Sequence, residues 1–239
     1  MLVNEIHGLF TINHLIYTIL SFLLVIVLIY LSIKLNTSRI KKQIKIIGII
    51  VISLEIIKII YMIIDNRSPN DYVPLYYCSL LIYFLFLIYI KNEKIQQIGY
   101  SLIMYNGLIP ALAYILYPIT AINFHPLISF DTIHSLIYHS LMLYLSLIIM
   151  IKKIHLVCFK DVKIFLVATL SLCLVAYIVN AIWGTFFMFI NNAPFDNPIL
   201  VALENIVGFF YPFVVAFAQT FGSFIGAYFV YKFIQERID

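Results

Sequence analysis

The chain has 239 residues, of which 64% are hydrophobic and only 11% are charged, with a mean hydropathy of +1.04. Soluble domains carry about 25% charged residues, so this composition excludes an ordinary soluble domain and indicates an integral membrane protein. The net charge of +4 comes from short loops between apolar runs, so it requires no nucleic acid partner.

Apolar runs of about 18 residues or more predict seven membrane-spanning helices. The loops between them are too short for a soluble domain, so we expect one all-α, polytopic helical bundle over residues 1–239. The predicted spans are residues 12–33, 44–64, 73–90, 96–118, 132–151, 163–190 and 205–232.

Lysine and arginine predict the orientation of these spans. Thirteen of them lie after the first, third and fifth spans or in the C-terminal tail, whereas Arg67 stands alone on the other side. Short cytoplasmic loops are enriched in positive charge, so we expect an external N-terminus and a cytoplasmic C-terminus.

The excess of lysine over arginine and the frequent isoleucine suggest a bacterial genome, and hence a bacterial plasma membrane.

The sequence D-T-I-H-S-L-I-Y-H at 131–139 places a carboxylate and two imidazoles at the head of the fifth span. Ionisable groups there are costly and usually face a bundle interior or a wet cavity. Asp131 and His134 share a helix face, so the carboxylate could orient the imidazole. His139 points about 140° away from His134, so we expect the two histidines to have different partners. The alternative is a group of capping or hydrogen-bonded residues at a helix end.

Glu55 and Lys58 lie one turn apart in the second span. They could neutralise each other, since pairing lowers the cost of burying either charge. Alternatively, Glu55 could orient an imidazole from another span. Cys78 follows in the third span and is a candidate nucleophile, because a nearby imidazole can activate a thiol. It could equally be a small apolar side chain, as we expect of Cys173.

The polar residues of the predicted spans lie mostly in their outer halves, which indicates one site near the external face. This set contains His14, Glu55, Lys58, Cys78, Asp131, His134, His139, Asn180 and Trp183. The cysteines have no paired spacing, and no C-x-x-C or H-E-x-x-H motif occurs, so no metal or other cofactor is indicated.

Four blocks resemble the YwaF-like family of bacterial integral membrane proteins. They are V-P-L-Y-Y-C-S at 73–79, N-G-L-I-P-A-L-A-Y-I-L-Y-P at 106–118, H-S-L-I-Y-H at 134–139 and N-A-I-W-G-T-F-F-M-F-I at 180–190. The chain departs from that family at Thr185 and Phe186, and at Gln219, where a glutamate is expected.

That bacterial family resembles the eukaryotic transmembrane protein 164 family of phospholipid acyltransferases. The resemblance implies Cys78 as the acyl-accepting nucleophile, His134 or His139 as the general base, and membrane phospholipid as the partner. In this interpretation Asp131 and Glu55 are orienting candidates, whereas Asn180, Asn106 or a tyrosine hydroxyl would stabilise the oxyanion.

Two other functions are compatible with the sequence. The polar residues could line a pathway for a small solute or a proton, although the inner half of the spans is almost bare of polar side chains. Alternatively, the protein could be a binding or scaffold protein in which the polar cluster only specifies helix packing.

Overall fold

The computed structural model describes residues 8–194 and 197–238. All regular structure within these ranges is helical, which confirms the predicted all-α class. The α-helices are α1 (Ile12–Ser32), α2 (Thr37–Ile64), α3 (Pro69–Tyr72), α4 (Leu80–Leu87), α5 (Glu93–Leu116), α6 (Ile119–Ile122), α7 (Phe130–Ile151), α8 (Asp161–Trp183), α9 (Pro198–Val207), α10 (Tyr211–Phe217) and α11 (Ser223–Ile238).

Six helical segments in the described ranges are long and apolar enough to cross a membrane. Five are the single helices α1, α2, α5, α7 and α8. The sixth runs over Pro198–Arg237 and contains α9 to α11, with a 3₁₀ turn at Gly208–Phe210 and a π-helical turn at Ala218–Gly222. The predicted count of seven spanning helices is therefore not confirmed.

The difference lies in the third predicted span, residues 73–90, where the regular structure covers only a 3₁₀ turn, Tyr77–Ser79, followed by α4. Pro74 has no N–H, and Tyr76 is extended (φ −72°, ψ 153°), so the first part of this apolar run cannot be helical. Just after α4, the hydroxyl of Tyr89 donates to the carbonyl of Lys45 (2.6 Å). The segment therefore leads from the end of α2 back to a point beside its beginning.

We name the two ends of the bundle by their residues. The lysine end carries the connections 33–36, 88–92 and 152–160, whereas the Arg67 end carries 65–76, 117–129 and the connection after α8. These labels describe the protein alone and assign no side of the membrane.

Backbone carbonyls of the extended segment and its 3₁₀ turn are bonded by side chains. Three side chains donate to them: the Tyr83 hydroxyl to Pro74 (3.1 Å), Asn106 Nδ2 to Tyr77 (3.2 Å) and the Tyr138 hydroxyl to Cys78 (3.2 Å). Non-helical backbone is tolerated at membrane depth only when its polar groups find such partners. These bonds fix Cys78 between α5 and α7.

Helices α5 and α7 form the centre of the bundle. In the most apolar 18-residue stretch of each helix, 67% of α5 and 72% of α7 is buried, against 22% of α1. They approach closely at Gly107, where a Cβ atom would lie 3.0 Å from both the Met142 carbonyl oxygen and Ser146 Cβ. The hydroxyl of Ser146 donates to the Met104 carbonyl at the same crossing (2.6 Å).

Asn180 organises the chain after α8, which ends at Gly184 in the left-handed conformation (φ 65°). Its Nδ2 donates to the Phe187 carbonyl (2.9 Å) and to Asn191 Oδ1 (2.8 Å). Its Oδ1 accepts from the Thr185 hydroxyl and from the Phe187 N–H, both at 2.8 Å. The bonding capacity of the side chain is fully used by this turn.

We expect Gly107→Ala to lower the free energy of unfolding by about 1–3 kcal/mol, because the new methyl group meets a backbone oxygen that cannot move freely. Thermal unfolding in detergent measures the effect. Gly222→Ala is the matched control, since nothing lies within 4 Å of a Cβ there. Equal stability of the two variants would contradict the close approach of α5 and α7.

We expect Asn180→Ala to destabilise the protein by about 2 kcal/mol or more, because it leaves buried groups of the 185–191 turn without partners. The same unfolding measurement applies. Asn191→Ala removes only one of the four bonds to Asn180, so its effect should be clearly smaller. A similar loss in both variants would show that Asn180 does not organise this turn.

Candidate functional site

Cys78 and the two histidines of α7 meet around one aromatic ring. The Tyr138 hydroxyl bonds the Cys78 carbonyl, and the Tyr138 ring lies 5.8 Å from the His134 ring and 5.4 Å from the His139 ring between centroids. Cys78 is partly exposed. The third and fifth predicted spans therefore touch, which the sequence could not establish.

Glu55 has two neighbours of different kinds. It forms a hydrogen-bonded ion pair with Lys58, and its other oxygen lies 3.8 Å from His134 Nε2. That distance is too long for a hydrogen bond, and the buried Nε2 atom has no hydrogen-bond partner in the described part of the chain. The neutralising and orienting interpretations of Glu55 are thus geometrically compatible with each other.

His139 is held in one orientation. Its Nδ1 lies 2.8 Å from the Ser135 carbonyl oxygen, which can only accept, so Nδ1 carries the proton and Nε2 retains its lone pair. The ring stacks on Tyr114 with a centroid distance of 3.8 Å and an interplanar angle of 2°. His134 and His139 therefore have different neighbours, as their angular separation on α7 suggests.

Asp131 contacts Arg67, where sequence reasoning paired it with His134. Its two oxygens lie 2.7 and 3.1 Å from the guanidinium, and His125 Nδ1 lies 3.7 Å away. Arg67 also donates to Asp65 (2.7 Å). The hydrogen bonds to Asp131 raise the pKa of Arg67 above its ordinary value. Both carboxylate oxygens of Asp131 thus bond Arg67, and no hydrogen bond joins Asp131 to His134 in the described part of the chain, so its role in orienting an imidazole stays a prediction.

The other polar residues singled out in the sequence either lie apart from Cys78 or form hydrogen bonds with backbone groups. Asn106 donates to the Tyr77 carbonyl, while its Oδ1 has no partner among the described residues. Asn180 is committed to the turn after α8. His14 accepts from the Phe10 N–H (3.1 Å) and lies 3.1 Å from the Leu116 carbonyl, so it bridges α1 and α5.

Gln219 and Cys173 support the turn around Met188. Gln219, in the π-helical turn, donates to the Met188 carbonyl (2.8 Å). Cys173 is buried, and its sulfur lies 3.6 Å from the Met188 sulfur, so it packs as an apolar side chain. Trp183 is 58% exposed and faces away from the bundle.

Sequence reasoning missed a second polar cluster, centred on Asp161. One carboxylate oxygen of Asp161 lies 2.7 Å from His155 Nε2 and accepts from the Tyr105 hydroxyl (2.8 Å) and the Cys158 N–H (3.2 Å). The sequence signal was an Asp–His pair flanking the start of α8. Among the described residues, no group of three or more His, Cys, Asp and Glu side chains could hold a metal ion.

The chain matches the model of a protein family. No curated protein and no solved structure matches the chain. The model of the TMEM164 family matches residues 9–230, nearly the whole sequence. This match does not confirm the narrower resemblance to YwaF-like bacterial proteins. Because the matched region includes all six long helices almost in full, the chain belongs to the TMEM164 family.

Proposed function

We propose that this protein transfers acyl groups between membrane phospholipids, or hydrolyses their esters, through the thiol of Cys78 and an imidazole of α7. The observation that carries the proposal is the hydrogen bond from Tyr138 to the Cys78 carbonyl. It holds a cysteine segment against the helix turn that presents His134 and His139. Both rings contact Tyr138, so either can reach the same small region of the bundle.

The reaction follows from these groups. An imidazole takes the Cys78 proton, and the sulfur attacks the ester carbonyl carbon of a lipid. A C–S bond forms, the ester C–O bond breaks, and the imidazolium returns the proton to the departing lysolipid oxygen. An acceptor hydroxyl then attacks the thioester and gives its proton to the imidazole, and the thiolate leaves and is reprotonated by the imidazolium. His139 suits the role of base because its Nε2 lone pair is free of the Ser135 bond.

Glu55 supports the charge that develops on an imidazole. Its second oxygen lies 3.8 Å from His134 Nε2, while Lys58 balances its own charge through the first oxygen. A tyrosine hydroxyl or the second side-chain N–H of Asn106 stabilises the oxyanion, because the side-chain N–H groups of Asn180 are already bonded in the turn after α8. Asp131 takes no part in this scheme.

A lipid substrate is favoured by the position of Cys78. Glu55 lies nine residues before the end of α2, and Tyr138 lies eight residues after the start of α7, so the site is about 12–14 Å along the helices from the Arg67 end. Cys78 and Lys58 are both partly exposed. We propose that an ester in the bilayer reaches Cys78 from the side, between the helices.

We also propose seven membrane crossings, with the segment 73–90 completing the bundle as a partly non-helical crossing. The bond between Tyr89 and Lys45 supports it, because it joins the end of this segment to the first turns of α2. The lysine end then faces the cytoplasm, as the distribution of basic residues favours. A bacterial plasma membrane and a YwaF-like relationship remain part of this proposal.

Intact-protein mass spectrometry tests the covalent step. We expect protein incubated with phospholipid to gain an acyl-sized adduct that hydroxylamine releases, and Cys78→Ala to gain none. His134→Gln or His139→Gln, whichever removes the base, should slow adduct formation by about 10²–10⁴-fold. Cys173→Ala is the matched control and should acylate normally.

An adduct on the Cys78→Ala variant would exclude this nucleophile. If no variant and no native protein forms an adduct, and expression leaves lipid composition unchanged, acyl transfer is wrong. Proton and solute flux through vesicles would then test the alternative of a transport pathway, lined by Glu55, Lys58, Asp131, His134 and His139.

A pair of variants separates the two roles of Glu55. Glu55→Gln alone should destabilise the protein by about 3–5 kcal/mol, since it leaves the Lys58 ammonium in the apolar bundle without its charged partner. The double variant Glu55→Gln/Lys58→Met should restore stability, because the charged pair is replaced by neutral groups. We expect its acylation rate to stay low if Glu55 assists an imidazole. A native rate in the double variant would assign Glu55 to charge neutralisation only.

A further inference from the structure

Four side chains close the α2–α7 interface at the Arg67 end, and we call them the Arg67 cap: Tyr61, Arg67, Phe130 and Asp131. Arg67 holds Asp131 through two bonds (2.7 and 3.1 Å), and its guanidinium lies 5.5 Å from the centre of the Tyr61 ring. The rings of Tyr61 and Phe130 lie 4.2 Å apart. The cap therefore combines a bidentate ion pair, which joins the connection after α2 to α7, with an aromatic contact that joins α2 itself to α7.

The cap lies directly above the proposed site. Tyr61 follows Lys58 by three residues on α2, and Asp131 precedes His134 by three residues on α7, so each is about one helical turn nearer the Arg67 end. The Phe130 ring is 5.8 Å from the His134 ring. The Asp131 side chain is 10% exposed and the Arg67 side chain is 21% exposed, so the carboxylate is the more buried partner of the pair. Water entering from this end between α2 and α7 has to pass the cap.

We propose that the Arg67 cap excludes water from Cys78, and that it thereby directs the acyl group to a lipid hydroxyl instead of to water. This inference rests on the proposed function for its chemical consequence. Attack by water on the thioester forms a carboxylic acid, whereas attack by a lipid hydroxyl forms an ester, and both reactions return the thiol. The same imidazole serves either acceptor, so access decides the product.

Thiol labelling tests the exclusion of water without any need for catalysis. In a Cys158→Ser/Cys173→Ser background, Cys78 is the only cysteine. Its labelling rate is measured in lipid vesicles with a charged, membrane-impermeant maleimide and with neutral N-ethylmaleimide, which also dissolves in the bilayer. We expect Arg67→Gln and Asp131→Asn each to raise the charged-reagent rate about tenfold while leaving the neutral-reagent rate unchanged.

Asp65→Asn is the matched control. It also removes a carboxylate partner of Arg67, but that side chain is 51% exposed and does not join α2 to α7. Its charged-reagent rate should equal that of the parent protein. Faster labelling by both reagents in the cap variants would indicate general loosening and overturn the proposal, as would unchanged labelling by the charged reagent. Phe130→Leu tests the aromatic contact of the cap. We expect it also to raise the labelling rate with the charged reagent while leaving the rate with the neutral reagent unchanged.

Product analysis then tests the chemical consequence. Cap variants with intact Cys78 should release more free fatty acid and form less transferred ester than the parent, at a similar rate of adduct formation. An unchanged product ratio would limit the cap to water exclusion and overturn its role in acceptor choice. Slower adduct formation in Asp131→Asn but not in Arg67→Gln would instead assign Asp131 to orienting His134. Complete absence of an adduct would refute the proposed function and this consequence, while the labelling rates still decide whether the cap excludes water.

Discussion

The structure depends on satisfying the backbone carbonyls of the non-helical segment that enters the bundle before α4. A hydrocarbon environment offers no water to these groups, and each unsatisfied carbonyl would cost several kcal/mol by the usual estimate of about 2–7. Tyr83, Asn106 and Tyr138 supply the three donors from α4, α5 and α7. A short segment outside the regular α-helices is thus tied to three of them. The same ties carry Cys78 to the histidines, so the local requirement of the backbone creates the proposed site.

Buried charge follows a similar rule. Glu55 pairs with Lys58, Asp131 with Arg67, and Asp161 with His155 and Tyr105. Each carboxylate therefore has a donor from its own helix, a neighbouring helix or an adjoining loop, which is the condition under which such groups persist in an apolar bundle. What distinguishes Glu55 is that it retains a second oxygen directed toward His134. In the proposed site, this second oxygen of Glu55 remains available to His134 after the ion pair with Lys58 has formed.

The sequence predicted the features that depend on composition and helix periodicity. Hydropathy indicated the long helices, and the shared depth of Glu55, Cys78, His134 and His139 indicated that they lie near one another. It could not predict the partner of Asp131, because Arg67 is 64 positions away and its approach depends on how α2 and α7 cross. The sequence indicated Asn180 as a free hydrogen-bond donor, because it does not show that the turn at 185–191 uses all the bonds of this side chain. The third span read as a continuous apolar run, since hydropathy does not register that Pro74 and an extended Tyr76 precede the helix.

Adjacent residues of α5 contact the two polar clusters: Tyr105 donates to Asp161, and Asn106 donates to Tyr77. Neighbouring side chains on a helix point about 100° apart, so these two bonds hold α5 from two different directions. Gly107, next in sequence, removes the freedom to slide because it packs against the backbone of α7. Three consecutive residues thus fix the rotation and the height of one helix. The two clusters therefore depend on the position of the same helix, so a substitution that shifts α5 affects both of them.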